Sequence, residues 1–267
     1  AVTVLLTGDG GDDAFLGYPH HRFLHTAQRL AAIVPTPLAA AGLSLGLMPP
    51  VRGPGRRARH FAGYAAGGLG AFLRARSGLR VFADASLLGP RLQGAVPTSH
   101  RIQPTPGSGR RILDDYLAHA LGHQFVAEYL AKVDGATMHF GLEARSPFLD
   151  QALWELAASL PYSARLHGGE LKAVLRAIAR RRISARVATG RKRGFEVPVA
   201  SWLGGAWASR ASRLLEAPLI VSEGWVDPHG LATWRAGAPV DGLALWKLVV
   251  LECWLRHEAG RGMTDGA

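Results

Sequence analysis

Cysteine is scarce in this sequence, which has one, Cys253, among 267 residues. A single thiol excludes an internal disulfide and a cysteine-rich zinc site, and it fits a reducing cytoplasm. Long apolar runs are also missing, because stretches such as 38–48 are much shorter than the about 20 residues that a membrane helix needs. We therefore expect a cytoplasmic protein with neither a membrane span nor a secretion leader.

Acidic residues are outnumbered by basic ones, 20 against 31, which gives a formal net charge of +11. Taken alone, this excess suggests a polyanionic partner. Only four of the basic residues are lysines, however, and no aromatic and basic interleaving accompanies the charge. Nucleic-acid binding is therefore the weaker interpretation, and it predicts an affinity for DNA or RNA that falls steeply with salt.

The hydrophobic content of 48% is enough for a folded protein with one large core or two modest ones. Residues 1–7 are an apolar, β-branched run that ends at Gly8, which predicts a buried strand, and we expect the chain to be a piece of a longer protein. Residues 97–111 are rich in Pro, Ser, Thr and Gly and predict a long loop or lid. Apolar periodicity predicts helices at 14–33, 37–47, 149–160, 171–178 (with Glu170 in its first turn) and 241–257. The last is apolar nearly all round, which indicates a buried helix with Cys253 in the core.

A glycine-rich turn at 7–13 follows the first strand and holds three carboxylates, those of Asp9, Asp12 and Asp13. Glycines let backbone N–H groups approach a ligand, and clustered carboxylates repel one another unless a cation joins them. Oxygen ligands beside a phosphate suit Mg²⁺. A tight turn before a helix with an acidic first turn fits the same residues. The turn is not a Walker loop, because the Gly-Lys-Ser/Thr ending is missing.

A cationic turn at 190–195 is the basic counterpart and contains Lys192 and Arg193. It could neutralise a polyphosphate leaving group, although from these residues alone a solvated basic loop is the favoured interpretation. Asp115, His119 and His123 are spaced to share one face of a predicted helix. We consider zinc binding there the weaker interpretation, because such a site needs three or four converging ligands.

Several motifs occur in a fixed order at wide spacing: LTGDGGDDAFLGY at 6–18, VD at 133–134, LEARSPFLD at 142–150, GGELK at 168–172 and KRGFEVP at 192–198. Together they resemble the synthetase half of asparagine synthetase, over most of the chain. The resemblance implies an α/β fold of the ATP pyrophosphatase (adenine nucleotide α-hydrolase-like) type, here with an incomplete parallel sheet and a mainly helical body. It also implies that residues 1–267 are the carboxy-terminal part of one such domain.

The chemistry implied by the resemblance is attack of a substrate carboxylate, that of aspartate, on the α-phosphate of ATP. The acyl-adenylate then reacts with ammonia released from glutamine. By position, Thr7, Gly8 and Gly10 would contact ATP, Asp9 would be the catalytic acidic residue, and Asp12 would bind Mg²⁺ and pyrophosphate.

Lys192 matches the phosphate-contacting and catalytic lysine of the family, and Arg193 follows it. We favour structural roles for Arg145 and for Asp150, which could cap the next helix, over substrate contact. Lys172 lies on the polar side of a predicted helix, as a surface lysine would.

The sequence departs from the family in lacking its Ser-Gly-Gly-x-Asp-Ser phosphate loop and its glutaminase domain. We expect these parts to come from a longer protein or from a complementary chain. A homodimer of this chain is also a possible assembly. Asp13 replaces the usual Glu, and Gly135 replaces a basic residue. The alternatives are a related lasso-peptide cyclase or β-lactam synthetase, which use the same adenylation, and a non-catalytic scaffold that keeps the fold.

Overall fold

The structure, a computed structural model, describes residues 2–44, 56–76, 86–95, 105–190, 197–237 and 241–260. Two short strands are present in this part, β1 (Val4–Leu6) and β2 (Glu143–Arg145). The α-helices are Gly11–Ala14, Pro19–Ala31, Thr36–Ser44, Arg56–Arg76, Pro90–Ala95, Ile112–His119, Ala131–Met138, Gln151–Ser159, Tyr162–Arg165, Ala173–Arg182, Ala185–Thr189, Val199–Gly204, Ala208–Leu214, Leu219–Ser222, Pro228–Ala236 and Gly242–Glu258. Single 3₁₀ turns occur at Ser108–Arg111, Pro147–Leu149 and His167–Gly169, and Ala120–Leu130 is a π-helix. None of the described helices is both long and apolar enough to cross a membrane.

The two strands pair in parallel, with Leu5 opposite Ala144, so the mainly helical chain with a small parallel sheet is compatible with the α/β prediction. The prediction that the first strand is buried is wrong in this structure, because Leu6 is 71% exposed and Val4 is 40% exposed. The described residues supply one neighbouring strand and no layer that covers these side chains. The apolar side chains of β1 therefore favour burial, but no described element covers them.

The first predicted helix, 14–33, is divided into Gly11–Ala14 and Pro19–Ala31. The break lies at Leu16, which adopts a positive φ of 57° and is fully buried. Pro19 then occupies the first position of the second helix, where its missing N–H costs nothing. The buried contacts of Leu16 thus outweigh the tendency of the segment to continue as one helix.

A long helical segment runs from Ile112 to Met138 and has π-type hydrogen bonding over Ala120–Leu130. Its first turns are anchored by Ile112 and Leu113, both fully buried. Wider π-type turns are rare and are often associated with functional sites. Here they include Tyr129, near their end, the residue whose hydroxyl donates to Asp9 in the acidic turn.

The chain divides into two compact units, residues 1–72 with 103–192 and residues 73–102 with 193–267. In the first unit, Ala14, Phe15 and Ala157 form a small core, against which Phe148 and Val174 pack. Because Ala14 and Phe15 directly follow the acidic turn in the chain, this core fixes the end of the turn. In the second unit, the core gathers around Leu87, Ile220, Val226, Leu231 and Leu248, with other residues of the last helix.

The last helix begins and ends within one residue of the predicted 241–257, and the Asp241 carboxylate caps it by accepting from Leu243 N and Ala244 N. The prediction that it is a buried helix is wrong for part of its surface. Leu243 and Trp254 are about half exposed, at 55% and 50%, and Cys253 is partly buried. Among the described residues, the buried side chains of this helix lie on one face: Ala244, Leu248, Glu252 and Leu255.

Other predictions match the structure in part. The predicted helix at 37–47 is present as Thr36–Ser44, and its remainder lies outside the described residues. Of the predicted loop at 97–111, residues 97–104 also lie outside them, while Ser108–Arg111 is a 3₁₀ turn. Glu170 was expected in the first turn of a helix, but that helix begins at Ala173, and Glu170 instead pairs with Arg180 at 3.1 Å.

Candidate active site in the acidic turn

Asp9 lies in the turn after β1, and hydroxyl groups from three parts of the chain donate to it. Thr7 Oγ1 donates to Asp9 Oδ2 at 2.8 Å, and Tyr129 Oη donates to Asp9 Oδ1 at 2.7 Å. Ser146 Oγ also donates to the Asp9 carbonyl oxygen at 2.5 Å. Both oxygens of the carboxylate are therefore engaged by neutral donors, which fixes its orientation without removing its charge.

The glycines of the turn permit close packing and an unusual backbone conformation. Gly10 has a φ of 83°, in the left-handed region, and a Cβ built on it would lie 2.6 Å from Leu149 Cδ2. Gly11 packs against the ring of Phe148, at 3.2 Å from a hypothetical Cβ. By contrast, no described residue lies within 4 Å of a Cβ placed on Gly8. The described residues thus pack tightly against one side of the turn and leave it open beside Gly8, where a ligand could approach the backbone.

Asp12 faces a lysine from a distant part of the same unit. Lys172 Nζ lies 2.8 Å from Asp12 Oδ1, and the two side chains are 27% and 21% exposed. The Asp12 carbonyl also accepts from Gly17 N at 2.7 Å, which closes the loop behind it. Lys172 is therefore not a plain surface lysine, because its ammonium group reaches the predicted site.

The carboxylates make the surroundings of the turn negative, and two tyrosines respond. The hydrogen bond to Asp9, with burial and the nearby carboxylates as further causes, raises the pKa of Tyr129 to about 12. Burial and the charges of Asp13 and Asp12 raise the pKa of Tyr18 well above its ordinary value. Both phenols are therefore neutral at physiological pH, and Tyr129 acts as a hydrogen-bond donor.

A second set of contacts supports the turn from its helical side. The guanidinium of Arg165, which is 7% exposed, donates to the Ala14 carbonyl at 3.3 Å and lies over the ring of Tyr162, 4.9 Å from its centroid. Tyr162 Oη donates to Asp114, whose other oxygen accepts from Gln28 Nε2 at 3.4 Å. These contacts join three helices to the end of the Gly11–Ala14 helix.

The segment 142–150 contributes structural contacts, and the helix cap predicted at Asp150 is confirmed. Arg145 Nε lies 2.9 Å from Glu143 Oε1 on the exposed side of the sheet. Asp150 caps the next helix, because its carboxylate accepts from Leu153 N at 3.0 Å. Ser146 precedes Pro147 at the start of a 3₁₀ turn, but its hydroxyl donates to Asp9 rather than to the backbone of that turn.

Not every predicted site residue can be placed in this geometry. Lys192 and Arg193 lie outside the described residues. His119 and His123 are neighbours, with ring centroids 4.8 Å apart, but the described part of the chain contains no group of three or more potential metal-binding side chains. The zinc interpretation therefore has no support among the described residues.

Sequence reasoning missed Tyr129 and undervalued Lys172, which approach the turn from about 120 and 160 positions along the chain. A tyrosine four residues before the Val133-Asp134 motif carries no local signal for a carboxylate partner. The motif around Lys172 did supply a signal, since it belongs to the set that carries the resemblance. These contacts arise from the fold alone.

His21 lies next to this turn and gives the protein a predicted pH dependence. It is 2% exposed, and burial, with His20 and Arg165 adding to it against the charge of Asp12, lowers its pKa from 6.5 to about 3. Below pH 6.5 the unfolded chain takes up a proton that the folded chain refuses, so stability falls as pH falls towards 3. We expect His21 to lower the free energy of unfolding by about 2 kcal/mol between pH 7 and pH 5.

Urea unfolding at the two pH values measures this loss of stability. His21→Gln should remove most of the loss, whereas His229→Gln, a control in the other unit, should keep it. An equal loss in the wild type and in His21→Gln would show that other groups cause it.

Comparisons with known proteins agree with this arrangement of motifs. The family model described as asparagine synthase matches residues 1–256. A glutamine-hydrolyzing asparagine synthetase of Bacillus subtilis is 36% identical over 76 residues, or 28% of this chain and 12% of that protein. A putative asparagine synthetase of Mycobacterium bovis, and one of Mycobacterium tuberculosis, are 29% identical over 137 residues, or 48% of this chain and 20% of each relative. The matched part is thus a small share of each relative. No solved structure matches the chain.

Proposed function

Because the chain belongs to the asparagine synthase family, we propose that it carries part of the active site of an ATP-dependent amide synthetase. The observation that best supports the proposal is the acidic turn, in which Asp9 is oriented by Thr7 and Tyr129 while Asp12 faces a cation. A turn of this kind, open beside Gly8, suits a phosphate-bearing substrate. The relatives that match are named as synthetases of asparagine, which makes aspartate the proposed acyl substrate.

In this proposal, adenylation activates a carboxylate that is otherwise a poor electrophile. Thr7, Gly8 and Gly10 would contact ATP, and Lys192 with Arg193 would contact the diphosphate as it leaves. Asp9 would accept a proton from the ammonia that attacks the acyl-adenylate. Tyr129 would keep the Asp9 carboxylate in place, as a positioning residue, through its 2.7 Å hydrogen bond.

Asp12 is the residue that would hold Mg²⁺. A single carboxylate completed by phosphate oxygens and water is a common arrangement for this ion, and Asp12 Oδ1 already faces the positive charge of Lys172 at 2.8 Å. When bound, Mg²⁺ supplies positive charge beside the departing diphosphate. Ammonia from glutamine would come from a glutaminase domain in the same protein or in a complementary chain, in the cytoplasm.

The test is to supply the natural full-length protein with ATP, Mg²⁺, aspartate and either glutamine or ammonia. We expect asparagine, AMP and pyrophosphate in equal amounts. Pyrophosphate release that depends on a peptide carboxylate or on a β-amino acid would redirect the proposal to a lasso-peptide cyclase or a β-lactam synthetase. No ATP consumption with any carboxylate would contradict catalysis and favour a scaffold.

Tyr129→Phe tests the positioning role of the tyrosine. Loss of its hydroxyl leaves one oxygen of Asp9 without its donor, and we expect kcat for amide synthesis to fall about tenfold to a hundredfold with little change in KM for ATP. Steady-state kinetics of the full-length protein measure both constants. Tyr162→Phe is the matched control, because it removes a hydroxyl that donates to a different carboxylate, Asp114. Equal losses in the two variants would contradict a specific role for Tyr129.

A further inference from the structure

Lys172 has two properties that its sequence position does not explain. Its backbone has a φ of 56°, in the left-handed region that favours glycine, immediately before the helix Ala173–Arg182. Its side chain crosses to the acidic turn and ends 2.8 Å from Asp12 Oδ1. A non-glycine residue in such a conformation is strained, and strain of this kind is retained where the surroundings over-determine it. Among the described residues, the ion pair with Asp12 is a contact that holds this side chain.

The partner, Asp12, is enclosed on its other side. Its carbonyl accepts from Gly17 N at 2.7 Å, and a Cβ on Gly17 would lie 1.8 Å from Asp12 Oδ1. The carboxylate therefore has little freedom to turn away from Lys172. Both side chains are about three-quarters covered, so solvent screens their attraction less than it would on an open surface.

We propose that Lys172 is a positioning residue that serves as the internal counter-cation of Asp12, and that a divalent metal ion must displace its ammonium group to bind there. This inference rests on the proposed function, which assigns Asp12 to the metal and diphosphate. Two cations cannot occupy one carboxylate oxygen without repulsion, so binding of the metal and opening of the ion pair are coupled. The displaced ammonium, on a flexible four-carbon stem, is then free to reach the anionic diphosphate.

A consequence of this exchange is that the metal alone binds weakly, while metal and diphosphate together bind more tightly. Without diphosphate, the released ammonium gains no new partner. With diphosphate present, the lysine exchanges one anion for another. Lys172 would therefore make the turn selective for the metal–diphosphate complex over the free metal ion.

The experiment is a titration of Mn²⁺ followed by its electron paramagnetic resonance signal, with the full chain and with or without inorganic pyrophosphate. Lys172→Met removes the charge, and Lys172→Gly removes it while suiting the positive φ, so that a folding defect in the first variant does not decide the result. We expect both variants to bind Mn²⁺ alone about threefold to tenfold more tightly than the wild type, and to lose most of the gain that pyrophosphate gives. Lys132→Met is the matched control, because it removes the same charge from a lysine whose contact is with the Tyr129 ring, 4.7 Å from its centroid.

The outcomes separate this inference from the proposed function. If Mn²⁺ binds to the wild type and to both Lys172 variants equally, Lys172 is not the counter-cation and the inference is overturned alone. If Lys132→Met matches the Lys172 variants, the effect is one of net charge and the inference is again overturned. If no form binds Mn²⁺, with or without pyrophosphate, the metal assignment of Asp12 fails together with it.

Discussion

Asp9→Asn is expected to reduce amide synthesis by a factor of about a hundred or more, because the asparagine side chain cannot take up a proton. The substitution changes the shape of the residue very little. Its amide can still accept from one of the two hydroxyls that hold Asp9, those of Thr7 at 2.8 Å and Tyr129 at 2.7 Å. The other hydroxyl must then rotate away from an N–H group. The loss should therefore be chemical and not a loss of folding.

The measurement is asparagine formation by the full-length protein, with ATP–pyrophosphate exchange as a separate measure of adenylation. If Asp9 acts on the attacking ammonia, exchange should be affected less than asparagine formation. Asp150→Asn is the matched control, because asparagine caps a helix as well as aspartate does and the capping oxygen remains. Unchanged asparagine formation by Asp9→Asn would contradict the proton-accepting role proposed for Asp9.

The sequence predicts the acidic turn well because its components are neighbours in the chain. Gly10 supplies the positive φ, and Asp9 and Asp12 follow directly from the strand that precedes them. The partners that give the turn its geometry are different. Tyr129 and Lys172 lie 120 and 160 positions away, and no local periodicity indicates which side chain will meet which carboxylate. Lys172 belongs to one of the motifs that carry the resemblance, but we predicted a surface lysine, and its contact with Asp12 is seen only in the fold.

The errors in burial have the same physical origin. Apolar periodicity reports which residues favour a core, but the elements that pack against a segment decide whether its side chains are covered. β1 is as apolar as predicted and yet exposed, and the last helix buries Leu248 while Trp254 remains half exposed. The break at Leu16 is similar, because Gly17 and Pro19 mark it in the sequence while the helical pattern runs across both. For the last helix, therefore, the boundaries were more predictable than the burial.

Glu252→Ala is expected to lower the free energy of unfolding of the second unit by about 3–5 kcal/mol. Glu252 is fully buried within the last helix, where its carboxylate accepts from Leu219 N and Ile220 N at 3.0 Å each. Arg256 Nε, one turn later, lies 2.6 Å from the same side chain. This carboxylate thereby accepts from two backbone N–H groups at the start of the helix Leu219–Ser222 and forms an ion pair with the partly buried guanidinium of Arg256. Its removal leaves three donors without an acceptor.

Urea unfolding of Glu252→Ala, compared with Glu258→Ala at an exposed position of the same helix, measures this contribution. The control should stay within about 0.5 kcal/mol of the wild type, as surface substitutions usually do. Glu252→Gln should fall between the two, because its amide oxygen keeps an acceptor for one backbone N–H while the charge that attracts Arg256 is lost. A wild-type midpoint for Glu252→Ala would mean that water replaces the carboxylate at the helix start. Because this acid lies in a helix predicted to be apolar nearly all round, its effect on stability would show that an unexpected buried charge can be a structural anchor rather than a catalytic group.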